Sequence, residues 1–114
     1  MSEDSELPTV VGLLDDEYAR SILTETSEKP MSATELAEEC NVSLSTISRK
    51  VDRLEAANLV DEQTRPRSDG HHDTVYVAQL DRFEVRLRDG ELEFEVQRTR
   101  RDMTEELARL WSKF

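Results

Sequence analysis

Residues 32–60 read Ser32-Ala-Thr-Glu35-Leu-Ala-Glu-Glu-Cys40-Asn-Val-Ser43-Leu-Ser-Thr-Ile47-Ser-Arg49-Lys-Val-Asp-Arg53-Leu-Glu-Ala-Ala-Asn58-Leu-Val60. Two helix starts are written into this stretch. Ser32 and Glu35 have the spacing of a capping box, with Met31 and Leu36 placed as its hydrophobic staple. Ser43 is suited to cap a second helix, with Val42 and Ile47 at staple spacing. Asn41 tolerates the left-handed conformation that ends a helix. Asn41-Val42-Ser43 is long enough for a sharp turn and too short for a flexible linker. Ala37 is small where two crossing helices must approach. The pattern predicts a helix-turn-helix.

The second helix has two faces. At about 100° per residue, Leu44, Ile47, Val51 and Leu54 fall on one side. Ser45, Thr46, Arg49 and Arg53 fall on the other, with Lys50 on the flank. Hydroxyls and guanidinium groups on an exposed second helix are what a DNA major groove accepts. An amphipathic helix by itself would signify only a solvated surface. Two capped helices followed by a turn-and-strand segment favour double-stranded DNA as the partner.

That following segment, residues 59–80, reads as a β-wing. Leu59-Val60 opens one strand and Thr74-Val-Tyr-Val77 belongs to the next. Asp69-Gly70 marks the turn between them. Arg65 and Arg67 flank Pro66 near the tip, beside His71 and His72, where they are placed to touch phosphates or a minor groove. A second hairpin follows. Phe83, Val85 and Leu87 alternate with Glu84, Arg86 and Arg88, and after Asp89-Gly90, Leu92, Phe94 and Val96 alternate with Glu91, Glu93 and Glu95. A two-residue type I′ loop would pair Arg88 with Glu91, Leu87 with Leu92, Arg86 with Glu93, Val85 with Phe94 and Phe83 with Val96. One face is apolar and needs a cover.

The ends complete the architecture. Residues 1–12 are expected as an acidic, partly disordered arm, with Pro8 to Leu14 a helical turn or packing arm. Asp15 or Asp16 is placed to cap a helix running to about Thr26, with Tyr18, Ile22 and Leu23 inward. Residues 13–80 form the winged helix-turn-helix. Residues 81–114 add the second hairpin and a terminal helix on the same domain. Met103, Leu107, Leu110, Trp111 and Phe114 share one face of that helix, which suits either a cover for the hairpin within the chain or a homodimer interface, the latter favoured by Trp111. Arg98, Arg100 and Arg101 stand at its start, the unfavourable end for the helix dipole. The fold class is α+β.

Composition narrows the function. A chain of 114 residues suits one domain with a modest core. No apolar run is long enough to span a membrane, and the acidic start is unlike a signal peptide. A single cysteine, Cys40, suits a reducing cytoplasm and falls in an apolar helix position, as core rather than redox sensor. His71-His72-Asp73 is a poor metal site, because neighbours in a Gly turn rarely project together. The serines have no adjacent base, no carboxylate pair spans a cleft, and there is no Gly-rich phosphate loop. No enzyme activity, cofactor or metal is expected.

The net charge is −11, odd for a DNA-binding protein. Its distribution is uneven. Residues 1–39 hold 11 acids and two bases, whereas residues 40–67 hold four acids and five bases. The DNA-facing segment therefore escapes the acid excess. Only three of the 15 basic residues are lysines, a composition resembling that of salt-in halophilic archaea.

Leu14-Asp-Asp-Glu-Tyr-Ala-Arg-Ser-Ile-Leu23, Met31-Ser-Ala-Thr-Glu-Leu-Ala-Glu-Glu-Cys40 and Ser43-Leu-Ser-Thr-Ile-Ser-Arg-Lys-Val-Asp-Arg-Leu54 resemble the winged helix-turn-helix, ArsR-like transcriptional regulators of halophilic archaea. With the wing, the resemblance covers about residues 13–80. It implies a dimeric repressor or activator with base contacts from Ser45, Thr46 and Arg49 and wing contacts from Arg65 and Arg67. Metal-sensing members use clustered cysteines, so the lone Cys40 argues against thiolate sensing; a small-molecule effector is not legible. The expected DNA-contacting set is Ser43, Ser45, Thr46, Arg49, Lys50, Arg53, Arg65, Arg67, His71 and His72, on an inverted-repeat operator. The rival expectation is a winged-helix protein-interaction module.

The acid excess makes its own prediction. Asp52, Asp61, Glu62, Asp69 and Asp73 would take up cations on meeting a polyanion, against the release from DNA. Log affinity against log KCl, from about 0.5 M upward, should therefore have a shallow or even reversed slope. A steep fall would exclude cation uptake by these acids.

Overall fold

Among the described residues, three of the four helix starts are set by a side-chain cap. The structure, a computed structural model, describes residues 2–99, with side chains from Leu7 onward. Helix α1 spans Ser2–Asp15, α2 Glu17–Glu28, α3 Ala33–Cys40 and α4 Leu44–Ala56. Asp16 caps α2 by accepting from the backbone N–H groups of Tyr18 and Ala19. At α3 the capping box is complete: the Glu35 N–H donates to Ser32 Oγ, and the Ser32 N–H donates to Glu35 Oε1. Asn41 ends α3 in the left-handed region at φ 57°, and Ser43 caps α4 through the Thr46 N–H.

Two antiparallel hairpins follow. The wing pairs β1 (Val60–Pro66) with β2 (His72–Ala78), and the second pairs β3 (Leu80–Arg88) with β4 (Glu91–Arg98). Asp89 and Gly90 both take positive φ, as a type I′ loop requires. All five cross-strand pairs expected for this hairpin occur in the register. Met31 adds a two-way bridge to Tyr76, so the turn before α3 is sewn to the wing.

The core sits where α2, α3 and α4 meet the wing. Ile22, Leu36, Ile47, Val51, Leu54 and Leu59 are all essentially solvent-free there. Each such side chain contributes roughly 1.5–3 kcal/mol by burial.

Four expectations need correction. Pro8 to Leu14 is more than a helical turn: ahead of the Asp16 cap, one helix runs through Ser2–Asp15, despite Pro8, and buries Val10 and Leu13. Tertiary packing makes up for the N–H that proline lacks. Leu44 leaves the core face and is 49% exposed, because the first residue of α4 has no turn before it to pack upon. Ala19 rather than Tyr18 takes the fully buried position on α2. Arg98 belongs to β4 and donates to the carbonyls of Ala57 and Asn58. Those carbonyls close α4, so the cation sits at the favourable end of a different helix. Thr99 N–H to the Gln79 carbonyl and Gln79 N–H to that of Leu59 tie the second hairpin to the wing. The terminal stripe Met103, Leu107, Leu110, Trp111 and Phe114 lies outside the described residues, as do Arg100 and Arg101.

Two substitutions separate capping from packing. Ser32→Ala should cost about 0.5–2 kcal/mol. Leu36→Ala should cost about 2–5 kcal/mol. Urea denaturation reads both; equal costs would contradict the division between cap and core.

Candidate nucleic-acid interface

With Ile47, Val51 and Leu54 buried, helical periodicity turns Ser45, Arg49 and Arg53 outward, and all three are exposed. Among the described residues Arg49 and Arg53 make no ion pair. Ser43 and Thr46 are partly committed within the chain. The Ser43 hydroxyl donates to Thr46 Oγ1 and lies 3.2 Å from Ser45 Oγ, while also serving as the cap. Their donors organise the start of α4 as much as they present it.

Lys50, expected among the DNA-contacting residues, is engaged within the chain. Its Nζ bonds to Asp16 Oδ2, and both side chains are largely covered. This pair locks α4 to the N-cap of α2. The Lys50 hydrogen bond, followed by opposing desolvation and then the two backbone bonds, holds the Asp16 carboxyl below its ordinary range. Sequence reasoning identified each residue but not their contact, since 34 positions separate them.

The wing brings Arg65, Arg67 and His72 to one side of an open groove of 620 Å³. Across it stand Ser32 and Glu35 of the α3 start and Leu44 and Ser48 of α4. His71 lies in the turn, its backbone N–H bonded to Asp69 Oδ1. Gly70, at φ 88°, closes the turn with an N–H to the Arg67 carbonyl. The Ser45, Arg49 and Arg53 side chains do not line this groove; they form the neighbouring outer face of α4.

The wing arginines have anionic partners. Arg65 Nη2 lies 3.2 Å from Glu35 Oε1 and 3.0 Å from Asp73 Oδ2. Arg67 reaches Asp73 Oδ1 through Nη1 and Asp69 Oδ2 through Nη2, each at 3.3 Å. Arg65 first, against desolvation, and then Arg67 hold Asp73 below the usual carboxylate range. The Ser32 N–H, then Arg65, do the same for Glu35. Glu35 was missed as part of this surface, and Asp73 was read as an acid near it but not as the partner of the arginines. The signal for Asp73 was available, because it faces Arg65 across the hairpin register. The Glu35 contact had none, because it depends on how α3 packs on the wing.

The acids divide into two kinds. Asp69 and Asp73 are paired with arginine. Asp52, Asp61 and Glu62 crowd Glu55, whose carboxyl is pushed up first by burial and then by these neighbours. Cys40 packs half-buried on the core, and burial followed by Glu25 and Glu39 pushes its thiol up, away from reactivity. Among the described residues no three His, Cys, Asp or Glu side chains are grouped to hold a metal ion. No described helix is long and apolar enough to cross a membrane.

Residues 14–63 match the protein family described as a helix-turn-helix domain. The chain carries a helix-turn-helix domain. Among solved structures it is similar to an ArsR-like transcriptional regulator from Rhodococcus sp. RHA1, with 32% identity and a TM-score of 0.56. That match covers 65% of this chain and 63% of the Rhodococcus chain. NolR from Sinorhizobium fredii aligns over 68% of this chain and 72% of its own, with 22% identity and a TM-score of 0.55. No curated protein matches. The fold is therefore the winged helix-turn-helix seen in ArsR-like regulators, with the second hairpin following its wing.

Asp16, Glu35 and Asp73 predict an acid-side loss of stability. Their folded pKa values lie below the unfolded ones, so ionisation stabilises the fold above the ordinary carboxylate range. That contribution should fade as pH falls below about 4 and through the lowered folded values. Asp16→Asn should flatten part of this loss in thermal melts from neutral to acid pH. Lys50→Ala should lower the melting temperature at neutral pH and reduce the acid sensitivity that Asp16 contributes, leaving the part due to its backbone bonds to Tyr18 and Ala19. A Lys50→Ala protein as stable as wild type would rule out the helix-locking role.

Proposed function

We propose that this chain is a sequence-specific, DNA-binding transcription regulator. The observation that carries the reading is the outer face of α4. Ser45, Arg49 and Arg53 stand exposed on a helix whose opposite side is fixed in the core, with the wing beside it. A capped second helix of this kind fits the major groove. The matched helix-turn-helix domain and the likeness to a Rhodococcus transcriptional regulator support the same reading. In it, Arg49 donates to guanine O6 and N7, Thr46 and Ser45 reach adjacent base edges or phosphate, and Arg65, Arg67, His71 and His72 attend the backbone or minor groove. Ser43 and Lys50 act by positioning α4, and Arg53 meets a flanking phosphate.

The proposal extends to a homodimer reading an inverted repeat, with half-sites about one helical turn apart. Its support is the apolar stripe Met103, Leu107, Leu110, Trp111 and Phe114. The acid excess and scarcity of lysine further support a halophilic origin and work at high salt. The opposing reading, a protein-docking winged helix, draws on the acidic charge and the anion-paired wing arginines.

Arg49→Ala should weaken a selected cognate site by about 1–3 kcal/mol and relax preference at one base pair. Selection from random duplexes followed by titration measures both. No enriched sequence, together with protein partners in a pull-down, would favour the docking module. Leu107→Ala with Trp111→Ala should convert dimer to monomer in light scattering; a monomeric wild type at the salt where it binds DNA would remove the dimer.

A further inference from the structure

Arg65 is held in a way that bears on what the wing can grip. A guanidinium forks onto a phosphate through one of two edges, Nε with Nη2 or Nη1 with Nη2. Both edges share Nη2. In Arg65 that nitrogen faces two carboxylates at once, Glu35 on α3 and Asp73 on the opposite strand. Its two hydrogens are thereby committed, and neither edge is open to a phosphate fork. Arg67 is held less completely, with one carboxylate on each terminal nitrogen: Nη1 donates to Asp73 and Nη2 lies against Asp69. Asp73 joins the two arginines, one on each carboxylate oxygen.

We propose that Glu35 and Asp73 are positioning residues that hold the wing arginines in a charge-compensated state, and that DNA phosphate binds by displacing them. The inference rests on the DNA-binding reading above and adds to it the control of the wing. All four side chains are at least about a quarter exposed, from 28% for Asp73 to 51% for Arg67. Exposed ion pairs of this kind are weak, so a polyanion can exchange with them. The exchange changes the ion balance. Each arginine that reaches phosphate releases cations from the DNA, while each freed carboxylate takes one up. The wing then adds little salt dependence, although it carries two guanidinium groups.

Glu35 is more than a surface acid in this arrangement. Its Oε1 accepts from both the Ser32 N–H and Arg65 Nη2. The same atom that closes the α3 capping box therefore sets the orientation of the wing arginine. Glutamine at the third helical position still completes a capping box. Glu35→Gln therefore removes the charge while keeping the cap, and Asp73→Asn is isosteric.

The test compares wild type, E35Q/D73N and E38Q/E39Q on a random-sequence 30-base-pair duplex across a KCl series. Glu38 and Glu39 are exposed acids on α3, so the last variant has the same charge change without the arginine contacts. Circular dichroism melts confirm that each protein is folded, and the single variants substitute for any double variant that is not. E35Q/D73N should bind more tightly at low salt, and its slope of log affinity on log KCl should steepen by roughly one to two. E38Q/E39Q should steepen it less. In an R65A/R67A background the effect of E35Q/D73N should shrink to that of the control. Equal slopes for E35Q/D73N and E38Q/E39Q, or an effect that persists without the arginines, would overturn the proposal. If the wild type binds no duplex, the DNA reading fails. The ion-pair exchange is then decided by the same variants' elution from heparin, a sulfated polyanion. There, later elution of E35Q/D73N than of E38Q/E39Q, dependent on Arg65 and Arg67, supports it and its absence overturns it.

Discussion

The burial of Ile47, Val51 and Leu54 is the constraint on which the rest depends. Three aliphatic side chains on one side of α4 meet α2, α3 and the start of the wing. Rolling the helix would expose them and lose roughly 1.5–3 kcal/mol for each. The outward direction of Ser45, Arg49 and Arg53 is a consequence of that burial. The polar face is rigid because the apolar face has nowhere else to go.

Around this helix, the ends of elements are held by specific polar bonds rather than by more apolar area. Asp16 caps α2 and receives Lys50 from α4. Glu35 closes α3 and receives Arg65 from the wing. Arg98 of β4 covers the carbonyls that end α4. In each case one ionised group meets backbone dipoles of its own or another element and links two elements. A small core gains orientation from such contacts, since each is directional where hydrophobic burial is not.

Charge in this molecule is better understood by pairing than by its net value. The chain is strongly acidic, yet the acids nearest the wing do not simply repel a polyanion. Asp69 and Asp73 neutralise Arg67 and, for Asp73, Arg65 as well. Asp52, Asp61 and Glu62 instead crowd Glu55 beside α4 and β1. A count of charges over residues 40–67 treats Lys50, Arg49 and Arg65 alike. The three have different environments: Lys50 is locked to Asp16, Arg65 is shared between two carboxylates, and Arg49 is exposed.

Local chemistry by itself determined the capping box at Ser32 and Glu35, the Ser43 cap, the left-handed Asn41 and the register of the second hairpin. These are legible because each depends on residues a few positions apart: a side-chain oxygen meeting a nearby N–H, or an Asp-Gly pair that permits two positive φ angles. The outward set on α4 was legible for the same reason, since its periodicity is local. The tertiary structure decided what distance along the chain conceals. It carried α1 through Pro8 by burying Val10 and Leu13, and it put Leu44 at the surface. It also turned Lys50 into a brace and brought Glu35 to Arg65, 30 residues away. Periodicity says which face of an element is polar. Which charge meets which is fixed only when packing sets the elements side by side.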